Sequence, residues 1–195
     1  MNAAPPARDG RQPRRVPDEL RQALAGDARG EPLAGLKLGD WAALGADAQV
    51  VRLHVFVQEQ GVAAEDEWDA ADAGAVHAVR YNRLGQPIAT GRLLPAEDGV
   101  ARIGRMAVEA GVRGQGHGAA VLDGLLDVAR QRGDRAVQLH AQQAAMAFYR
   151  RHGFTPCGEP FEEVGIPHQG MRLDFTEIVP LVDSTDPEHR GGERV

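Results

Sequence analysis

A chain of 195 residues is long enough to bury one hydrophobic core of ordinary size, with room left for tails. Its net charge of −6 and pI of about 5.6 argue against a nucleic-acid backbone as partner. A single cysteine, Cys157, excludes an intrachain disulfide, and no run approaches the roughly 18 apolar residues of a membrane span, so a soluble, cytoplasmic protein without a membrane partner is expected.

Residues 1–32 are rich in Pro, Arg, Ala and Gly, lack the apolar region of a signal peptide, and read as a tail in which only 16–24 has helical character. A short strand is predicted over 33–41. From 46 to 60 the apolar residues Val50, Val51, Leu53 and Val57 recur at three- and four-residue spacings, which predicts a helix that Gly61 stops. An acidic stretch follows: Glu65, Asp66, Glu67, Asp69 and Asp72 around Trp68. It reads either as a solvated loop or as a rim that attracts a cationic amine, and the solvated reading stands slightly ahead. Runs at 75–81, 88–94 and 100–108, separated by the turn segments 82–85 and 95–99, predict three strands in an antiparallel meander.

The segment 113–118, Arg-Gly-Gln-Gly-His-Gly, lies between the third of these strands and a predicted helix over 119–132. Glycines let the backbone approach a ligand closely, and the first amides of the helix have no intrahelical partner, so strand, turn and helix together form an anion cradle. No lysine follows in the Walker position, and the glycines alternate at 114, 116 and 118, unlike those of the dinucleotide fingerprint. Beyond it, 136–141 reads as a buried strand parallel to 100–108, because a helix crosses between them. A helix over 142–152 stops at Gly153, strands are predicted at 154–157 and 170–175, and a polar tail follows about residue 180. There is one core and no internal repeat. The domain is placed at 33–176, between a head at 1–32 and a tail at 177–195.

The pattern R-x-x-G-x-G at 113–118 resembles the acetyl-CoA pyrophosphate loop of the GNAT superfamily of N-acetyltransferases. Other segments resemble its ElaA-like and YjcF-like subgroup. They include Arg52-Leu53-His54-Val55-Phe56-Val57-Gln58-Glu59-Gln60, Glu67-x-Asp69-x-x-Asp72 with His77, and Gly91-Arg92. The same holds for Arg102-Ile103-Gly104-Arg105-Met106-Ala107-Val108, for Ala141-Gln142 with Ala147-Phe148-Tyr149, and for Gly165-Ile166-Pro167-His168. The order of predicted elements over 33–174 is that of the GNAT fold, an α/β domain with a mixed central sheet.

The resemblance implies acetyl-CoA as co-substrate and no metal. Backbone amides of Gln115, Gly116, His117 and Gly118, with Gly114 in the turn and Arg113 adding charge, would take the pyrophosphate. The backbone of Met106, Ala107 and Val108 would meet the pantetheine, with Gln142 and Phe148 beside it. Tyr149 is the implied general acid. For the base, Glu59 leads, with His168 as a substrate-pocket residue and His77 also able to titrate near neutrality. His54, His117 and His140 are read as structural histidines, Cys157 as core, and the histidine spacing fits no metal site. The expected activity is acetyl transfer to a primary amine, a small cationic one first, by direct attack in a ternary complex. A protein N-terminal or lysine acetyltransferase, a catalytically idle acyl-CoA-binding module and an acyl-homoserine-lactone synthase stay open, as does a homodimer.

Overall fold

The computed structural model describes residues 35–175, so the readings of the head and the C-terminal tail lie outside the described residues. Strand β1 (Gly35–Gly39) leads into helix α1 (Trp41–Arg52). The helix starts at Trp41, ahead of the apolar repeat, because the side chain of Asp40 accepts from the Ala43 amide at 3.0 Å and satisfies one of the free donors of the first turn. Past Arg52 the hydrogen bonding widens into a π-helical run, Leu53–Glu59. Such runs recur at functional sites. The acidic stretch folds as a one-turn helix α2 (Ala64–Glu67) and a 3₁₀ turn (Ala70–Gly74).

Strands β2 (Val76–Tyr81), β3 (Pro87–Leu93) and β4 (Val100–Val108) form the expected antiparallel meander, with β1 antiparallel on β2. Helix α3 (His117–Gln131) crosses over to β5 (Ala136–Gln142), which runs parallel to β4 as predicted. Helix α4 (Met146–Arg151) precedes β6 (Thr155–Pro156), β7 (Phe161–Glu163) and β8 (Ile166–Asp174). The sheet order is β1-β2-β3-β4-β5-β8-β6, and β7 pairs with β8 as a hairpin. Neither β7 nor the first four residues of β8 were expected. Glu162 and Glu163 break any apolar alternation, and Pro167 argues locally against a strand.

One face of α3 (Val121, Leu122, Leu125, Leu126, Val128, Ala129) is buried against one side of the sheet, on residues such as Ala89, Ile103 and Leu139. The other side is covered over β2 by Leu44 and Ala48 of α1. There the π-helical run also places Val55 on Ala107.

Strands β4 and β5 are paired only from Val100 opposite Ala136 to Arg102 opposite Gln138. Beyond that they part. A bulge in β4 explains the divergence. Thr90 faces Ala107 and Arg92 faces Gly104, so Gly91 alone stands against Arg105 and Met106. Arg105 takes a left-handed φ of 54° to make room. A bulge of this kind bends its strand and ends regular pairing. Gly91 permits it: a Cβ there would lie 2.5 Å from the Met106 sulfur.

Candidate active site

The glycine segment closes one end of the gap between β4 and β5. Gly114 and Gly116 have φ of 78° and 84°, a region that costs a side-chain-bearing residue roughly 1–2 kcal/mol. Gly116 caps α3, and the first intrahelical bond runs from the Ala120 amide to the Gly116 carbonyl at 3.0 Å. The amides of His117, Gly118 and Ala119 therefore precede the ladder. Gly118 sits under Val108 and the Phe148 ring, at 3.3 and 3.8 Å from its would-be Cβ, so the fold brings Val108, Gly118 and Phe148 together. Ala107 turns its side chain into the core beneath Val51 and Val55, which leaves only its backbone for a ligand. A pyrophosphate fits amides of this kind, and an extended pantetheine fits between strands that have parted.

The gap opens into a cavity of about 390 Å³ whose wall includes Phe56, Met106, Gln142, Tyr149 and His168. Tyr149 is buried, edge-on to Phe148 and Phe154, and burial alone pushes its hydroxyl up to about 12. It stays protonated through the neutral range. His168 lies opposite Gln142 in the β5–β8 register. Its Nδ1 is 2.8 Å from the Ile166 carbonyl, an oxygen that can only accept, so Nδ1 bears a hydrogen. The Gln142 amide donates to Gln60 Oε1 at 3.0 Å, tying the end of β5 to the end of the π-helical run.

Residues 46–175 match the acetyltransferase (GNAT) domain. The chain belongs to the GNAT acetyltransferase family. It is 36% identical over 129 residues to the uncharacterized N-acetyltransferase YjcF of Bacillus subtilis, covering 66% of this chain and 91% of that protein. Among solved structures, Escherichia coli ElaA superposes with a TM-score of 0.65 at 27% identity, over 72% of this chain and 99% of that one. An acyl-CoA N-acyltransferase from Pseudomonas aeruginosa superposes with a TM-score of 0.63 at 34% identity, over 71% and 98%. The GNAT fold implies acetyl-CoA as the acyl donor.

Within this GNAT domain several site expectations change. Glu59, read as the leading base, is absent from the cavity wall, and both its carboxylate oxygens are taken by Arg113, at 2.7 and 2.6 Å. Those hydrogen bonds hold its carboxyl below the usual range, the wrong direction for a base at neutral pH. Arg113, expected at the pyrophosphate, is thereby committed to Glu59 and to the Val108 carbonyl at 2.9 Å. His77 is 1% exposed, its Nε2 2.9 Å from the Asp72 carbonyl and its ring against Trp41, and burial lowers its pKa. It is a structural residue, away from the cavity. His54 meets Glu109 at 2.7 Å. His140, read as structural, instead lines the cavity beside Phe161 and Glu163.

The acidic stretch divides: Glu65 and Asp66 are exposed, whereas Glu67, Asp69 and Asp72 are bound by arginines. Arg52 donates to Glu67 Oε1 at 2.5 Å, to the Glu67 carbonyl at 2.7 Å and to Asp72 at 2.9 Å. Arg92 grips Asp69 with two bonds of 2.7 Å and Asp72 with a third, and Arg105 reaches Asp69 at 3.2 Å and Glu67 at 3.3 Å. Three arginines thus neutralise three carboxylates, and Arg52, Glu67, Asp72 and Arg92 are all buried. The Arg92 hydrogen bond takes Asp69 down to about 2. Burial acts to raise Asp72, but the bonds from Arg52 and Arg92 outweigh it and leave its pKa lowered. For Glu67 burial prevails over the arginines and the pKa is raised. One signal pointed to this cluster: an arginine at the inward positions 52 and 92 of otherwise apolar elements demands a buried carboxylate. Among the described residues no group of three or more His, Cys, Asp or Glu side chains is placed to hold a metal. No helix among them is long and apolar enough to cross a membrane.

Proposed function

We propose that the protein transfers an acetyl group from acetyl-CoA to a small primary amine by direct attack in a ternary complex. The observation that carries this reading is the parting of β4 from β5 beyond Arg102 and Gln138, with the glycine-capped start of α3 at one end and Tyr149 in the wall. Acetyl-CoA supplies the acetyl thioester. The amides at the start of α3 hold its pyrophosphate, and the unpaired edge of β4 from Met106 to Val108 aligns the rest. Tyr149, protonated and desolvated, gives its proton to the leaving thiolate. His168 and His140 lie on the acceptor side, where the exposed carboxylates of Asp66 and Glu163 favour a cationic amine. The charges of Glu67, Asp69 and Asp72 are matched by Arg52, Arg92 and Arg105, so as a set they add no long-range attraction.

A thermal melt tests the donor site. Acetyl-CoA at a hundred times its dissociation constant stabilises by about 2.7 kcal/mol, a shift on the order of 5 to 10 °C at this size; NADH and ATP serve as controls and give none. The rival of a different class, an acyl-CoA-binding module without turnover, is separated by Tyr149→Phe. An enzyme loses on the order of a hundredfold in kcat and keeps acetyl-CoA binding. Turnover unchanged by that substitution would remove Tyr149 from the mechanism.

A further inference from the structure

We propose that Glu67 receives the ammonium group of the acceptor and takes its proton, a role that rests on the acetyl-transfer reading above. Glu67 is 3% exposed, yet it forms part of the cavity wall. Its two oxygens differ. Oε1 is fixed by Arg52 Nε at 2.5 Å and Arg105 Nε at 3.3 Å. Oε2 has no hydrogen-bond partner among the described residues, and it is not one of the sealed, unpartnered atoms there, which are Arg80 Nε and Arg92 Nε. It therefore keeps some accessible surface, on a residue that lines the cavity. A carboxylate oxygen in so dry a place is costly without a donor, and an ammonium brings three. The other acids of the cluster offer no such seat. Both oxygens of Asp69 are occupied by Arg92, and Asp72 lies off the cavity wall.

The surroundings suit a proton transfer. Arg52 from α1, Arg92 from β3 and Arg105 from β4 face Asp69, Asp72 and Glu67, with neutral His77 from β2 behind them. With Glu67 ionised the cluster is balanced. An incoming ammonium adds one positive charge, and moving its proton to Oε2 leaves the total unchanged. Burial disfavours ammonium and carboxylate alike, so it narrows the gap between an alkyl amine near 10 and this carboxyl, whose pKa is already raised. In the full step, one N–H proton passes to Glu67 and the freed lone pair forms the C–N bond as the C–S bond breaks. The thiolate takes the Tyr149 proton, and the second N–H proton restores the tyrosine through water. Glu67 releases its proton to solvent, so one proton is shed per amide formed.

Because Glu67→Gln also unbalances a buried ion cluster, the test begins with the unmodified chain. The isotope-labelled Glu67 carboxyl resonance should move saturably with ethylammonium chloride and stay still with tetramethylammonium chloride, which has no N–H. No movement, or equal movement with both salts, overturns the proposal. Kinetics form the second arm. Glu67→Gln should cut kcat/KM for ethylamine on the order of a hundredfold at pH 7 and cut that for trifluoroethylamine, already neutral there, far less. Equal losses on both amines would make Glu67 a structural residue only. Acetyl-CoA melting shifts on the same samples separate the two levels. A chain that acetyl-CoA does not stabilise fails the acetyl-transfer reading, whereas one that it stabilises while Glu67 ignores ethylammonium fails this proposal alone.

Discussion

Two arginine–carboxylate systems flank the cleft, and they differ chiefly in water. Near the glycine segment, Arg113 and Glu59 form a bidentate pair with side chains 44% and 42% exposed. On the other flank, Arg52 and Arg92 bind Glu67 and Asp72 with side chains 7% exposed or less. The exposed pair is a well-formed fork, yet solvent screening and side-chain entropy leave it little net energy. In the buried cluster every partner depends on the rest, because a charge left alone there cannot turn to water. Good geometry therefore says little about which arginine the fold needs; burial says more.

The largest effect expected is from Arg52→Met. It strands Glu67 and Asp72 without their shared donor and should cost about 3 to 5 kcal/mol in urea unfolding. A loss below about 1 kcal/mol would put the cluster in the same class as the surface pair. Gly91→Ala acts on the cluster indirectly. Its Cβ would press on the Met106 sulfur, Val121 and Leu125, at 2.5, 3.0 and 3.1 Å, beneath the bulge that aims Arg105 at Glu67 and Asp69. Overpacking of this kind costs about 1 to 3 kcal/mol. Acetyl-CoA affinity should fall as well, since the same bulge parts β4 from β5. Unchanged affinity in the folded variant would separate the bulge from the cleft.

Acid titration probes the cluster without mutation. Asp69 ionises at about 2 in the folded chain against 3.8 when free, so its contribution is complete above pH 4 and is lost as pH falls toward 2. Asp72 acts in the same direction and Glu67 in the opposite one. His77, whose folded pKa is lowered, adds an earlier loss as pH falls below about 6.5, because the unfolded chain gains a proton first. Urea midpoints should therefore decline in two stages. The His77 stage should persist in 1 M salt, since that ring is buried, and a decline abolished by salt would place its origin on the surface.

Much of this architecture is legible locally. The meander follows from short apolar runs between turn residues, the parallel setting of β5 from a single crossover helix, and the anion cradle from glycines at 114, 116 and 118. What escapes local reading depends on distant partners. Arg113 meets a carboxylate 54 positions away, and Arg92 meets ones 20 and 23 away. The bulge at Arg105 exists because Met106 packs over Gly91, a contact between strands. The same limit explains the acidic stretch: its composition suggests a solvated loop until the arginines opposite are known. Gly116 could be singled out from the glycine pattern and Tyr149 from the family resemblance, whereas the unpartnered oxygen of Glu67 required the distant arginines and the cavity.

The smallest effect on stability belongs to Glu59→Gln, and it bears most directly on the cofactor end. The change breaks one surface ion pair, so unfolding free energy should move by less than about 1 kcal/mol and become indistinguishable from wild type at high salt. Its consequence for binding runs the other way. Arg113 sits beside the start of α3 with its charge committed to Glu59. A pyrophosphate at those amides competes with Glu59 for the same guanidinium. Releasing Arg113 should tighten acetyl-CoA binding severalfold in a titration, and Arg113→Gln should weaken it by a similar factor. If Glu59 were the catalytic base, Glu59→Gln would lower kcat with binding unchanged. A fall in kcat on that scale would return Glu59 to the chemistry; tighter binding with kcat retained would make the exposed pair a competitor for the phosphate.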